Sequence, residues 1–154
     1  MKKILSTRFG ELEVTEEQLF NFPNGIPGFP DEKNFVFIPH GEESPFYYLQ
    51  SITQANLTFL LADPFAFFKD YKLILKDEIA EELNLSSENL PQVFLIASVK
   101  EKLEDMTVNL LAPLVINKLS HTGRQVILDK PEYSIRHKLF PNSLSPEVVK
   151  GGKK

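Results

Sequence analysis

Apolar and polar positions alternate along this chain in short runs, separated by turn-forming residues, and most of the runs are of strand length. Runs rich in β-branched, aromatic and leucine side chains occupy residues 4–7, 11–14, 35–39, 46–52, 58–62, 72–76, 92–99, 107–111, 114–119 and 125–129. Recurring at turn-bounded intervals, they predict an antiparallel sandwich or a small barrel. Arg8-Phe9-Gly10 and His121-Thr122-Gly123 predict two tight hairpin connections, because glycine accepts the positive φ that such turns use.

One segment follows a different period. In Asp77-Glu78-Ile79-Ala80-Glu81-Glu82-Leu83 the apolar Ile79 and Leu83 lie four apart, with carboxylates on the remaining face, which predicts a short amphipathic helix. Asp77 is placed to cap its first turn, and Glu78 and Glu81 sit near the favourable end of its dipole. Pro64-Phe65-Ala66-Phe67-Phe68 predicts a second helical turn opened by proline, and Asp63 before it can accept backbone hydrogen bonds from that turn. Residues 86–91 read as a loop closed by Pro91. No repeat of solenoid length and no linker interrupts the pattern. After Phe140 apolar residues thin out, so the chain divides into a single β domain over 1–140 and a flexible C-terminal tail over 141–154.

Composition narrows the class. At 154 residues and 42% hydrophobic side chains, one core burying roughly two-thirds of the unfolded surface is expected. The absence of cysteine removes disulfides, thiolate metal sites and thiol nucleophiles, and fits a reducing, cytoplasmic setting. Lys2 and Lys3 give a basic start, but Arg8, Glu11 and Glu13 arrive before an apolar export segment can form. The apolar stretch over 57–68 is broken by Asp63 and Pro64 and falls short of a bilayer span, so no membrane partner is expected. A net charge of −4 argues against direct nucleic-acid binding, whose affinity comes from lysine and arginine displacing counterions. It suits a basic protein partner, although mild acidity is ordinary for soluble proteins.

Catalytic patterns are missing. Seven scattered glycines supply neither a dinucleotide fingerprint nor a phosphate loop. His40, His121 and His137 lie far apart, and none shares a helix face with a carboxylate at metal-binding spacing. No serine has a nucleophile-elbow surround. The adjacent acids Asp31-Glu32, Glu42-Glu43 and Glu81-Glu82 point in different directions and read as solvated surface. Neither enzyme activity nor a cofactor is expected.

Three constellations point to recognition instead. Asn24-Gly25-Ile26-Pro27-Gly28-Phe29-Pro30 is a rigid loop whose Ile26 and Phe29 are suited to plugging the end of a barrel. In Pro45-Phe46-Tyr47-Tyr48-Leu49-Gln50-Ser51, Tyr47 and Leu49 share one strand face while Phe46, Tyr48 and Gln50 share the other, leaving tyrosine near water on either choice. With thirteen phenylalanines and no tryptophan the chain depends on one aromatic type, and most of those phenylalanines are expected in the core.

Taken together, several segments resemble the flagellar assembly factor FliW family. They are Gly25-Ile26-Pro27-Gly28-Phe29, the 45–51 strand, Asp63-Pro64-Phe65 with Tyr71, residues 107–117 (TVNLLAPLVIN), Gly123-Arg124-Gln125-Val126-Ile127-Leu128 and Tyr133-Ser134-Ile135-Arg136-His137. Their order and spacing, over nearly the whole chain to Phe140, carry the resemblance. It implies a mainly β fold, a small antiparallel β-barrel-like single domain with one or two short helices. It also implies no catalysis and two protein partners, flagellin and the RNA-binding translational repressor CsrA. Flagellin occupies such a factor until it is exported, and the released factor then antagonises the repressor, away from its RNA surface, and relieves the block on flagellin translation. The candidate contact residues are Phe46, Tyr47 and Tyr48 as anchors and Glu78, Glu81 and Glu82 as a steering surface toward a basic repressor. Asn109 and Asn117 join them as strand amides, which either hold the fold or receive a partner strand. A small β-barrel nucleic-acid-binding protein, stacking bases on Phe46, Tyr47 and Tyr48, is the competing reading. A hydrolase assembled from dispersed acids and histidines is the third.

Overall fold

The structure, a computed structural model, describes residues 2–26, 28–99 and 102–140; the expected tail over 141–154 lies outside the described residues. In chain order the strands are β1 (Lys2–Ser6), β2 (Gly10–Val14), β3 (Leu19–Asn21), β4 (Asn34–Pro39), β5 (Phe46–Ser51) and β6 (Thr58–Ala62). Two short helices follow, α1 (Pro64–Phe67) and α2 (Asp77–Glu82). Then come β7 (Gln92–Ser98), β8 (Thr107–Val108), β9 (Leu114–Asn117), β10 (Thr122–Gln125) and β11 (His137–Lys138). Strands β3-β4-β5-β6-β7-β9-β10 form a closed ring, because β10 returns to pair with β3. The hairpin β1–β2 is a separate two-stranded sheet. The expected mainly β, barrel-like architecture with two short helices is present. Its pairings are antiparallel except one, the parallel bridge Thr122↔Asn21 that joins β10 to β3.

Strand alternation sorts the apolar residues between an interior and two outer layers. Phe20, Phe22, Phe35, Leu49, Leu61, Phe94, Leu114 and Ile116 fill the barrel. Phenylalanine rings meet there in edge-on or tilted pairs, Phe22–Phe35 at 5.7 Å and Phe37–Phe94 at 5.0 Å between centroids. Such pairs each add about 0.5–1.5 kcal/mol beyond their buried area. Ile26 is buried among the barrel residues at 2% exposure, while Phe29 stays 37% exposed and meets Phe59 edge-on. Gly25 makes that loop possible: its φ is +73°, and a Cβ there would lie 2.6 Å from the Pro30 backbone.

Outside the barrel, the hairpin buries Ile4 and Val14 against Val36 of β4. A larger layer covers Leu95, Val108 and Val115 with Tyr71, Leu83, Val126, Leu128 and Leu139, contributed by the segments that follow β6 and β10. Gln50 joins the hairpin to the barrel. Fully buried on the outer face of β5, it accepts from the hydroxyls of Ser6 (2.7 Å) and Thr58 and donates to the carbonyl of Ser51 at 3.0 Å. Its amide also reaches the carbonyls of Gln54 and Ala55, each at 3.3 Å, and the Thr7 N–H donates to Ala55 O at 2.7 Å. Glu32 is likewise tied down rather than free: Thr53, Gln54 and Ser51 donate to it and hold its carboxyl below the usual range.

Several expectations need correction. Residues 72–76 are not a strand: they alternate as one, yet no neighbouring strand hydrogen-bonds to them. The run over 107–111 stops at Val108, because the Asn109 side chain accepts from the N–H groups of Leu111 and Ala112 and turns the chain. The turn after β9 spans residues 118–121 rather than 121–123, with His121 carrying the positive φ of 58°. Strand β10 therefore covers Thr122–Gln125, displaced from the expected 125–129. Gly123 serves packing instead: it faces the interior, where a Cβ would fall 2.6 Å from the Phe22 ring. Asp77 does not cap α2; Lys76 is the N-cap and Asp77 is already helical. Asp63 does cap α1, accepting from Phe65 N–H at 3.0 Å, with Pro64 at the first position.

Two outcomes follow from this packing. Gly123→Val should destabilise the chain by about 1–3 kcal/mol through overpacking, and adding Phe22→Leu should recover part of the loss in urea unfolding. The second concerns Tyr71, whose hydroxyl donates to Leu110 O at 2.7 Å and whose ring stacks on Tyr133 at 5.0 Å. Burial first, and Tyr133 second, push its phenol above the usual value of 10.0. An unfolded tyrosine loses its proton near that pH while the folded one keeps it, so stability holds below it and falls as pH rises further. Unfolding measured between about pH 9 and pH 11 should show a shallower decline for Tyr71→Phe than for the native chain; equal slopes would refute the assignment.

Candidate functional site

Strand β5 divides the aromatic candidates by alternation. Tyr47 turns inward, packing against Phe37 and Phe94 with centroids 5.0 Å away in both cases, so it is mainly a barrel residue. Phe46 and Tyr48 turn outward and stay half-buried on the face of the sheet. They line an open cavity of about 520 Å³ that reaches across β6 and β7 to Val99, Leu103 and Met106. Val99 is 42% and Leu103 64% exposed, so apolar surface continues past the cavity rim.

A cation sits over this aromatic face. The Arg8 guanidinium lies 4.8 Å from the Tyr48 ring centroid and donates to the Tyr48 hydroxyl at 3.3 Å, while Phe9 meets the same ring edge-on at 5.1 Å. The β1–β2 turn that carries both residues is held by Ser6, whose hydroxyl oxygen accepts from the N–H groups of Arg8 (3.1 Å) and Phe9 (3.0 Å). His40 borders the other side, 5.9 Å from the Tyr48 ring. Half-buried, outward-facing aromatic rings with an arginine and apolar neighbours have the composition of interface anchors. Phe46 and Tyr48 were among the candidates expected from the sequence, whereas Arg8, Val99 and Leu103, which the structure places beside them, were not. The available signal was the apolar Leu103 stranded in the charged run Lys100-Glu101-Lys102-Leu103-Glu104-Asp105.

The acidic candidates occupy a different element. Glu78, Glu81 and Glu82 are all exposed on α2. Glu82 is committed: it is ion-paired and hydrogen-bonded to Arg124 of β10 and accepts from the Asn24 amide at 3.4 Å. Glu78 and Glu81 make no ion pair or side-chain hydrogen bond among the described residues. No ring contact, hydrogen bond or ion pair links α2 to Phe46 or Tyr48, so the anchors and the steering charges form two patches. The two asparagines are occupied within the fold. Asn109 spends its carbonyl oxygen on the turn at Leu111 and Ala112. Asn117, 1% exposed, donates to the carbonyls of Leu83 (2.6 Å) and Asn84 (3.4 Å) at the end of α2, and accepts from the N–H groups of Leu119 and Ser120. Among the described residues no three His, Asp or Glu side chains are placed to hold a metal ion, and no helix is long and apolar enough to cross a membrane.

Comparison with known proteins places this geometry. A family model described as FliW protein matches residues 3–139. The flagellar assembly factor FliW of Desulfitobacterium hafniense (strain DSM 10664 / DCB-2) is 61% identical over 150 residues, covering 97% of this chain and 99% of its own. That of Bacillus subtilis (strain 168) is 40% identical over 135 residues, covering 87% of this chain and 94% of its own. A crystal structure of the flagellar assembly factor FliW matches with a TM-score of 0.83 at 38% identity, over 93% of this chain and all of that one.

The two kinds of candidate separate by stability. Asn117→Ala leaves the Leu83 carbonyl and two turn N–H groups without their partner and should cost about 1–3 kcal/mol in denaturant unfolding. Glu78→Ala and Glu81→Ala should each stay within about 0.5 kcal/mol of the native chain.

Proposed function

This chain belongs to the FliW family and is a flagellar assembly factor, and from that premise we propose that it works in the cytoplasm as a switch between two protein partners. One partner is flagellin and the other is the RNA-binding translational repressor CsrA. While flagellin is abundant it occupies the factor; once flagellin is exported, the freed factor binds the repressor and relieves its block on flagellin translation. The factor carries out no reaction and contacts no nucleic acid itself. Its relatives are named for assembly, not for an enzyme activity.

The observation that carries this reading is the outward aromatic face of Phe46 and Tyr48, capped by Arg8 and continued by exposed Val99 and Leu103. Apolar area of this kind gains free energy when a partner covers it. The uncommitted carboxylates of Glu78 and Glu81 supply the second element, a charge complement for a basic partner that raises the encounter rate and sets orientation.

Purified chain mixed with flagellin and with the repressor should form a complex with each, and added flagellin should displace the repressor. Binding of neither partner would sink the proposal, and simultaneous binding without displacement would remove the switch. Phe46→Ala and Tyr48→Ala should each weaken one of the complexes by more than about 1 kcal/mol. Glu78→Lys combined with Glu81→Lys should weaken the repressor complex roughly tenfold at low ionic strength and less at high salt. Glu82 is left native in that variant because its reversal would break the pair with Arg124.

A further inference from the structure

A cavity of about 500 Å³ opens between two extended segments that belong to no strand. One is residues 72–76, where Leu73 and Leu75 pack onto the outer core while Ile74 is 74% exposed. Among the described residues, none of the backbone N–H or C=O groups of Leu73, Ile74 and Leu75 makes a hydrogen bond. The other is residues 126–128, which carry on the line of β10: Val126 N–H donates to Pro113 O at 2.9 Å and Leu128 N–H to Leu111 O at 2.8 Å. In antiparallel pairing successive residues turn their backbone groups to alternate sides. Those of Ile127 therefore point away from 111–113, and among the described residues they too make no hydrogen bond. Strand β3 does not cover this edge, because its pairing with β10 is confined to Thr122↔Asn21.

Unpaired strand-like edges are usually covered, bent or charged, since they template the addition of another strand. The two segments border one cleft whose walls are mainly apolar, from Ile74, Leu75, Ile79, Val126, Ile127 and Leu128. Lys76, Arg124 and Lys130 border it against a single acid, Asp129. Arg124 is satisfied by Glu82, and Lys130 reaches Glu132 only at 4.0 Å. Lys76 makes no ion pair among the described residues. Lys76 is thus a border cation with no carboxylate bound to it among the described residues.

We propose that this cleft accepts an extended segment of a partner protein as an added strand, the segment having alternating apolar side chains and at least one Asp or Glu. Backbone hydrogen bonds to Ile127 and to the facing 73–75 segment provide the affinity, the apolar walls select the alternating side chains, and Lys76 selects the carboxylate. The inference rests on the reading that this protein works by binding other proteins. It adds a second surface, carried by different residues from the Phe46–Tyr48 face.

A displayed library of peptides of about twelve residues, selected on the full chain with neither proposed partner present, tests the cleft by itself. The selected peptides should carry alternating apolar residues with at least one acid, and should slow hydrogen exchange at the Ile127 amide and within the 73–75 segment. Ile127→Pro removes a donor that makes no bond in the free chain, so it should leave the melting temperature unchanged while weakening those peptides about tenfold. Ile74→Pro does the same from the facing segment should the first variant fail to fold. No enrichment, a basic consensus, or equal binding to the proline variant would overturn the proposal. So would a concentration-dependent dimer abolished by Ile127→Pro, which would assign the cleft to a second copy of the chain. Flagellin and the repressor are absent, so these outcomes stand apart from success or failure of the switch.

Discussion

Barrel closure depends on how β7 divides its length. Residues Gln92, Val93 and Phe94 pair with β9, whereas Leu95, Ile96 and Ala97 pair with β6. One strand thereby stands between β6 and β9, and the seven-strand ring closes through it. Closure leaves the seven strands little free edge, which is the hazard that open antiparallel sheets carry. It also encloses a volume that must be filled, and phenylalanine fills it, so Gly123 has to give up its side chain where the Phe22 ring passes. The outer layers depend on the same closure, because Val36 and Leu95 can present apolar backs only while their inward neighbours are held in the ring.

Much of this was legible in the amino-acid order. The strands over 58–62 and 46–51 and the proline-opened turn at Pro64 follow from period, β-branching and the φ of proline, which are local properties. What could not be read locally was pairing. Residues 72–76 alternate as a strand would, and only the absence of a neighbour in space denies them that status. Gly123 looked like a turn residue because glycine commonly is one; its true constraint is the Phe22 ring, a hundred residues earlier in the chain. Gln50 could be placed only on the strand face of Phe46 and Tyr48, and nothing near it in sequence announces that Ser6 and Thr58 converge on its amide.

The candidate site shows the same division. That Tyr47 and Tyr48 face opposite sides of β5 was readable, but which side is the interior was not, since both faces of the strand carry an aromatic ring. The acidic residues of α2 read as three equivalent charges until the fold committed Glu82 to Arg124. Asn109 and Asn117 sit in apolar surroundings because a turn needs their side-chain carbonyls, and a buried amide that makes several internal bonds has little left to offer outside.

The Tyr71–Tyr133 stack has an optical consequence. Tyr133 accepts from the Lys72 N–H at 2.9 Å and Tyr71 reaches Leu110, so the pair pins one end of the unpaired 73–75 segment to the layer beyond β10. The chain has four tyrosines and no tryptophan. Its near-ultraviolet circular dichroism and intrinsic emission are therefore dominated by tyrosine, and two of the four chromophores are held nearly parallel, 19° apart. Any event that loosens that end of the segment alters their exciton coupling, which makes the protein its own unlabelled reporter of movement there.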